Sequence, residues 1–137
     1  MTKKFLISLI LFLIWLATIF VLSGIQNPYL DIEIAHLTVS SFFKHFVEYG
    51  ILGVLSYNFF RLAFKNQNLA VICSIFFPFL YGVSDEIHQY FVPTRISDLP
   101  DVIVDAIGGL AGVLFLILVF FLIRKNNERK MVDRLKL

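Results

Sequence analysis

VIVDAIGGLAGVLFLILVFFLI, residues 102–123, decides the class of this chain. Apart from Asp105, one turn in, every residue is apolar or glycine. The hydrocarbon core of a bilayer, about 30 Å thick, is crossed by about 20 apolar residues in a helix. Working outward, three more segments read the same way. The stretch from Phe5 to about Ser23 carries no charge. The stretch from about Phe46 to Phe64 carries Glu48 near its start and Arg61 near its end. The stretch from Leu69 to Phe91 has Pro78 in its middle and Asp85, Glu86 and His88 near its end. The expected fold is therefore an all-α integral membrane protein, one domain over residues 1–137. It has four transmembrane helices near 5–23, 46–64, 69–91 and 102–123, followed by a basic tail at 124–137.

Composition supports this class. Of 137 residues, 58% are hydrophobic and 16% charged, and phenylalanine occurs 16 times. Soluble domains run at about 45–50% apolar and about 25% charged, so a soluble enzyme and a disordered tail are both excluded. The first apolar stretch is longer than a signal-peptide core, and no A-x-A site follows it, so it is expected to stay as a span. Cys73 lies alone in an apolar run, which rules out a disulfide within the chain and a cysteine metal site.

Charge sets the orientation. With the N-terminus cytoplasmic, Lys3, Lys4, Arg61, Lys65, Arg124, Lys125, Arg129, Lys130, Arg134 and Lys136 fall inside, ten of the twelve basic residues. Only Lys44 and Arg95 fall outside, as the positive-inside rule requires. The C-terminus is then cytoplasmic too, and the tail is an anchor near anionic lipid rather than a nucleic-acid site. Most acids, and all three histidines, sort to the outer side. In the first outer loop, Ile32, Ile34, Ala35 and Leu37 can form a short interfacial helix.

The outer ends of the last three spans carry the chemistry. His45 and Glu48 are three apart and share a helix face, followed by Tyr49. Asp85, His88 and Gln89 share another, with Glu86 about 100° round from Asp85. Asp101, Asp105, Gly108 and Gly112 repeat at i, i+4, i+7 and i+11, a narrow stripe. Gly108 and Gly112 make a small-xxx-small face for close helix approach, so Asp105 on the same stripe is expected to point into the bundle. Ionisable groups in a span cost about 2.5–3.5 kcal/mol each at a helix centre, less near its end, so this set must be paired, hydrated or liganded. Arg95, just after Pro93, is tethered near the acids of both helices, and its fork suits a carboxylate or a lipid phosphate.

Three readings stay open. The groups satisfy each other and fix three helices. Or crowded carboxylates divide into an acid and a base. Or His88 with Asp85, Glu86 or Asp105 holds a cation. No spacing such as H-E-x-x-H supports the last, and no metal ligand or cofactor is assigned. No P-loop, G-x-G-x-x-G or G-x-S-x-G is present.

Taken together, the motifs resemble the VanZ-like membrane proteins. The resemblance rests on His45-x-x-Glu48-Tyr49 followed by Gly50 to Leu55. It rests more heavily on Leu80-Tyr81-Gly82-x-x-Asp85-Glu86-x-His88-Gln89-x-Phe91-x-Pro93-x-Arg95. It ends in Asp98-x-x-Asp101-Val102, then Asp105, Gly108 and Gly112, and covers roughly residues 5–123. One departure is Asp105, where Asn is usual in the family. The resemblance implies a small multi-pass protein of the bacterial cytoplasmic membrane, whose namesake is associated with low-level resistance to teicoplanin, a lipid-tailed glycopeptide. Two functions follow as expectations. In the first, an enzyme acts on a lipid or lipid-linked envelope precursor at the extracytoplasmic face. His45, Glu48, Asp85, Glu86 and His88 are its candidate catalytic groups, and Tyr49, Gln89, Arg95, Asp101 and Asp105 bind substrate or orient the histidine. In the second, a non-catalytic protein binds lipid, lipoglycopeptide or an envelope partner through the same residues. Membrane lipids are partners in both, and nucleic acid in neither.

Overall fold

A computed structural model of the chain describes residues 2–25, 34–93 and 97–135, with side chains left out at 34–41 and 134–135. Four helices account for nearly all of it: α1 (Lys3–Ser23), α2 (Ile34–Ala63), α3 (Gln67–Tyr90) and α4 (Leu99–Leu135). There is no strand among the described residues. Local signals explain several ends. The Thr2 hydroxyl accepts from Phe5 N at 3.3 Å and caps α1. The Asn66 side chain accepts from Asn68 N and Leu69 N and caps α3 after the short α2–α3 turn.

Three of the helices are long and apolar enough to cross a membrane: α1, α3 and α4, with mean hydropathy 2.9, 1.5 and 2.9 over their best windows. Their outward faces carry Ile10, Leu13, Ile72, Phe76, Leu114 and Phe115, all exposed, as a lipid-facing surface requires. The second expected span, α2, is not among the three. Several of its polar groups are met by neighbouring helices. It packs against all three other helices, most heavily α4. Its Asn58 donates to Ser8 of α1 at 2.8 Å and accepts from Arg61, whose guanidinium sits 4.2 Å above the Phe120 ring of α4.

Two boundaries differ from expectation. The separate interfacial helix is replaced by the first turns of α2, continuous from Ile34, while Ile32 lies outside the described residues. The basic tail continues α4 as one 37-residue helix. In both places the backbone bonds of a helix extend past the apolar stretch, because a helix outside lipid needs no apolar run.

Contacts between helices fix an up-down-up-down bundle. Trp15 Nε1 of α1 donates to the Glu48 carbonyl of α2 at 2.9 Å, while Asn58 reaches Ser8, so α1 and α2 are antiparallel. The Tyr81 hydroxyl donates to the Leu16 carbonyl and His88 meets Ser23, so α1 and α3 are parallel. Helices α2 and α4 are also parallel and touch backbone to backbone. A Cβ at Gly112 would fall on the Gly50 carbonyl oxygen, and one at Gly53 on that of Gly109. Phe12, Ile19, Tyr49 and Leu52 form the buried apolar centre between α1 and α2, with Phe59 and Phe77 stacked or tilted against Phe12 at 5.1 Å.

Pro78 is buried inside α3 without ending it. Proline has no N–H to give the carbonyl four residues back, which is that of Ser74. The Ser56 hydroxyl of α2, fully buried, donates to that carbonyl at 3.1 Å and replaces the missing donor from another helix. The proline ring itself fits against Gly109, where a Cβ would lie 2.5 Å from Pro78 Cβ. Ser56→Ala is expected to lower stability by about 1 kcal/mol, the scale of interhelical hydrogen bonds in membrane proteins. Reversible unfolding in mixed detergent micelles reads this, and an unchanged midpoint would mean that Ser74 is satisfied by something else.

Candidate functional site

Because the helices alternate in direction, the end of α1, the start of α2, the end of α3 and the start of α4 meet at one end of the bundle. His45 of α2 is buried there between the two aspartates of α4. Its Nδ1 donates to Asp105 Oδ1 at 3.0 Å, and its Nε2 faces Asp101 Oδ2 at 3.8 Å. The Tyr49 ring, one turn along α2, lies parallel to the imidazole at 6.4 Å. Asp105 is fully buried, and the stripe it shares with Asp101, Gly108 and Gly112 does point into the bundle. On its other side it meets Gly82 of α3, where a Cβ would lie 2.9 Å from Asp105 Oδ2.

Asp85 and Glu86 are adjacent on α3, yet each is only 5% exposed. This is possible because α3 has a neighbour on two sides. Asp85 Oδ2 accepts from Gln89 Nε2 at 2.9 Å, one turn on, and lies within electrostatic reach of Glu48, Tyr49, Tyr81 and Asp105. Glu86 turns toward α4. Its Oε2 accepts from the backbone N–H of Asp98 at 2.8 Å, and the carboxylate also accepts from the Ser97 hydroxyl. It thereby caps the start of α4, where a carboxylate is favoured by the helix dipole. Three buried oxygens have no hydrogen-bond partner among the described residues: Tyr49 Oη, Glu86 Oε1 and Asp105 Oδ2.

A family model described as VanZ/LLP1 matches residues 5–122. The chain belongs to the VanZ/LLP1 family. No curated protein and no solved structure matches it. The match spans all four helices as far as Leu122, and so every residue of the buried cluster in this VanZ/LLP1 chain.

The residues singled out in the sequence divide into two groups. His45, Tyr49, Asp85, Glu86, Gln89, Asp101 and Asp105 are all buried at this end. Two others face elsewhere. Glu48 is at the edge, with Lys44 Nζ 3.7 Å from its Oε1. His88 turns to α1: its Nδ1 donates to the Ser23 hydroxyl at 3.1 Å, which donates onward to the Phe20 carbonyl. Its ring stacks on Phe20 with centroids 4.2 Å apart. The tenth, Arg95, lies outside the described residues.

His88 is not part of a three-ligand grouping among the described residues. The described residues that bring three ligand-type atoms within 4.8 Å of one another are His45, Glu86 and Asp101. Sequence reasoning also missed Gly82, whose lack of a side chain lets Asp105 reach His45. Its position three residues before Asp85 was the available signal, since a glycine in a span marks a close approach. Ser23 and the Asp98 backbone were not foreseeable, because each depends on how a neighbouring helix is rotated.

The chemistry available is that of an imidazole held at its Nδ1 by a buried carboxylate. Two further carboxylates stand close to its second nitrogen, and a buried phenol lies beside it. Such a group can transfer a proton, hold a polar head, or ligate a cation.

Proposed function

We propose that this VanZ/LLP1 protein takes a lipid or lipid-linked envelope amphiphile at the extracytoplasmic face of the bacterial cytoplasmic membrane, and that its polar cluster acts on the head group. In this reading all four helices span and both termini are cytoplasmic. The distribution of basic residues supports that orientation.

One observation carries the reading. An open groove of about 530 Å³ runs between α3 and α4. Its walls include Phe79, Val83, Ile87, Phe91, Leu99 and Val102, and its polar end is Glu86 with Ser97 and Asp98. An acyl or prenyl chain suits such walls, and a polar head then comes to rest at Glu86, next to His45 and Asp101. Glu86, Asp85 and His45 are the acid–base groups, Asp105 orients His45, and Tyr49 and Gln89 line the interior. A non-catalytic variant of this reading, in which the cluster only binds, draws support from how many of its groups already pair with one another.

Glu86→Gln separates the two, since the amide keeps shape and removes the proton-transfer capacity. Wild type and variant are expressed at matched membrane levels in a sensitive Gram-positive host, and teicoplanin susceptibility is read. Wild type is expected to raise the inhibitory concentration and Glu86→Gln to leave it at the host's value. Equal protection by both would sink the acid–base role and leave binding. Protection by neither would overturn the link to a lipid-tailed glycopeptide.

A further inference from the structure

We infer that His45, Glu86 and Asp101 form a binding site for a divalent transition-metal cation, Zn²⁺ or Mn²⁺, with Asp105 as the residue that orients His45. The inference stands apart from the lipid reading, because it concerns the bundle's own side chains.

Four observations converge on it. First, one ligand atom from each of the three residues lies within 4.8 Å of the others, and all three residues are buried. They come from three different helices, so the cluster is a product of the fold and not of local spacing. Second, Asp105 Oδ1 takes the proton-bearing Nδ1 of His45 at 3.0 Å. Nε2 then faces Asp101 Oδ2 at 3.8 Å, and in the neutral imidazole it offers a lone pair to a cation. That distance is too far for a direct hydrogen bond. It is a suitable span for two ligands of one ion with metal–ligand bonds of about 2.0–2.2 Å. A carboxylate holding the far nitrogen of a metal-binding histidine is the usual outer support of such sites.

Third, Glu86 Oε1 is buried with no hydrogen-bond partner among the described residues, although Oε2 is anchored by Asp98 N. An anchored carboxylate with one free oxygen is a ligand already held in place. Fourth, Glu86, Asp101 and Asp105 bring three buried carboxylates around one imidazole. Buried charge of one sign is costly unless compensated, and a dication compensates it. The nitrogen donor favours Zn²⁺ or Mn²⁺ over Mg²⁺ and Ca²⁺, which prefer all-oxygen shells. Since Glu86 also ends the apolar groove, the ion would sit beside whatever polar group the groove admits.

The test is direct binding. The full chain is purified in detergent, stripped with a chelator, and titrated with Zn²⁺ and with Mn²⁺ by calorimetry, with Mg²⁺ and Ca²⁺ for comparison. One equivalent is expected for wild type with Zn²⁺ or Mn²⁺. Glu86→Gln and Asp101→Asn each abolish that equivalent or weaken it by more than about tenfold, and Asp105→Asn, which keeps an acceptor for Nδ1, weakens it by about tenfold. Glu128→Gln, on the exposed far end of α4, leaves it unchanged. A wild type that binds no equivalent overturns the site. So does a wild-type equivalent that survives undiminished in both Glu86→Gln and Asp101→Asn, which would place the ion elsewhere. Because the readout is binding by pure protein, its failure leaves the lipid reading standing, and susceptibility failure leaves this one standing.

Discussion

Gly112→Ala is expected to separate α2 from α4 and to lower the unfolding midpoint sharply. The new methyl would coincide with the Gly50 carbonyl oxygen and lie 2.9 Å from its carbon and 3.0 Å from Val54 N. These are backbone atoms inside a helix, so no rotamer can move them aside. The helices must part, and the reciprocal contact of Gly53 with Gly109 parts with them. Association of helices in lipid depends on close packing rather than on expelling water, so the loss is not made up elsewhere. Overpacking costs typically about 1–3 kcal/mol, and a backbone-to-backbone clash belongs at or above the top of that range. Unfolding of purified protein in mixed detergent micelles measures it, with Leu114→Ala on the exposed face of α4 as a near-neutral comparison. If Gly112→Ala unfolded with Leu114→Ala and wild type, the two helices would not approach as closely as described.

The second large effect is expected at Asp105. Asp105→Leu keeps approximate size and removes the acceptor for His45 Nδ1, leaving a buried donor unpaired. Such a group costs about 1–3 kcal/mol, and more where one half of a buried pair is lost. Asp105→Asn retains an acceptor and is expected to stay within about 1 kcal/mol of wild type. Gly82→Ala should resemble the leucine variant in kind, because its methyl would press on Asp105 Oδ2 at 2.9 Å and on Asp105 Cβ at 3.1 Å. The same micelle unfolding applies. Leucine and asparagine variants of equal stability would show that the His45–Asp105 bond contributes little to the fold.

Three of the helices were readable in the sequence because apolar length is a direct requirement of the bilayer. The expected spans 5–23, 69–91 and 102–123 correspond to α1, α3 and α4. The second was harder. Lys44, His45, Glu48, Asn58 and Arg61 dilute its hydropathy, and only packing explains why a helix can carry them. The stripe of Asp101, Asp105, Gly108 and Gly112 was legible as both seam and site, because residues at that spacing must share a face. The rotation of α3 was not. Periodicity places Asp85 and Glu86 about 100° apart, but it cannot say that neighbours stand on both sides and bury both. Nor can it say that His88 turns to Ser23 and Phe20. Those outcomes depend on which helix lies where, information spread over the whole chain.

The place of α2 has a consequence for biogenesis. With α2 as a proposed span, the helix least able to enter lipid alone is made before α4, its glycine-matched neighbour. The nascent α2 therefore has to be sheltered first by α1, through Trp15 with the Glu48 carbonyl and Ser8 with Asn58. His45 meets its aspartates only after α4 has been made. A chain truncated before α4 would leave a histidine without its carboxylates and a glycine face without a mate.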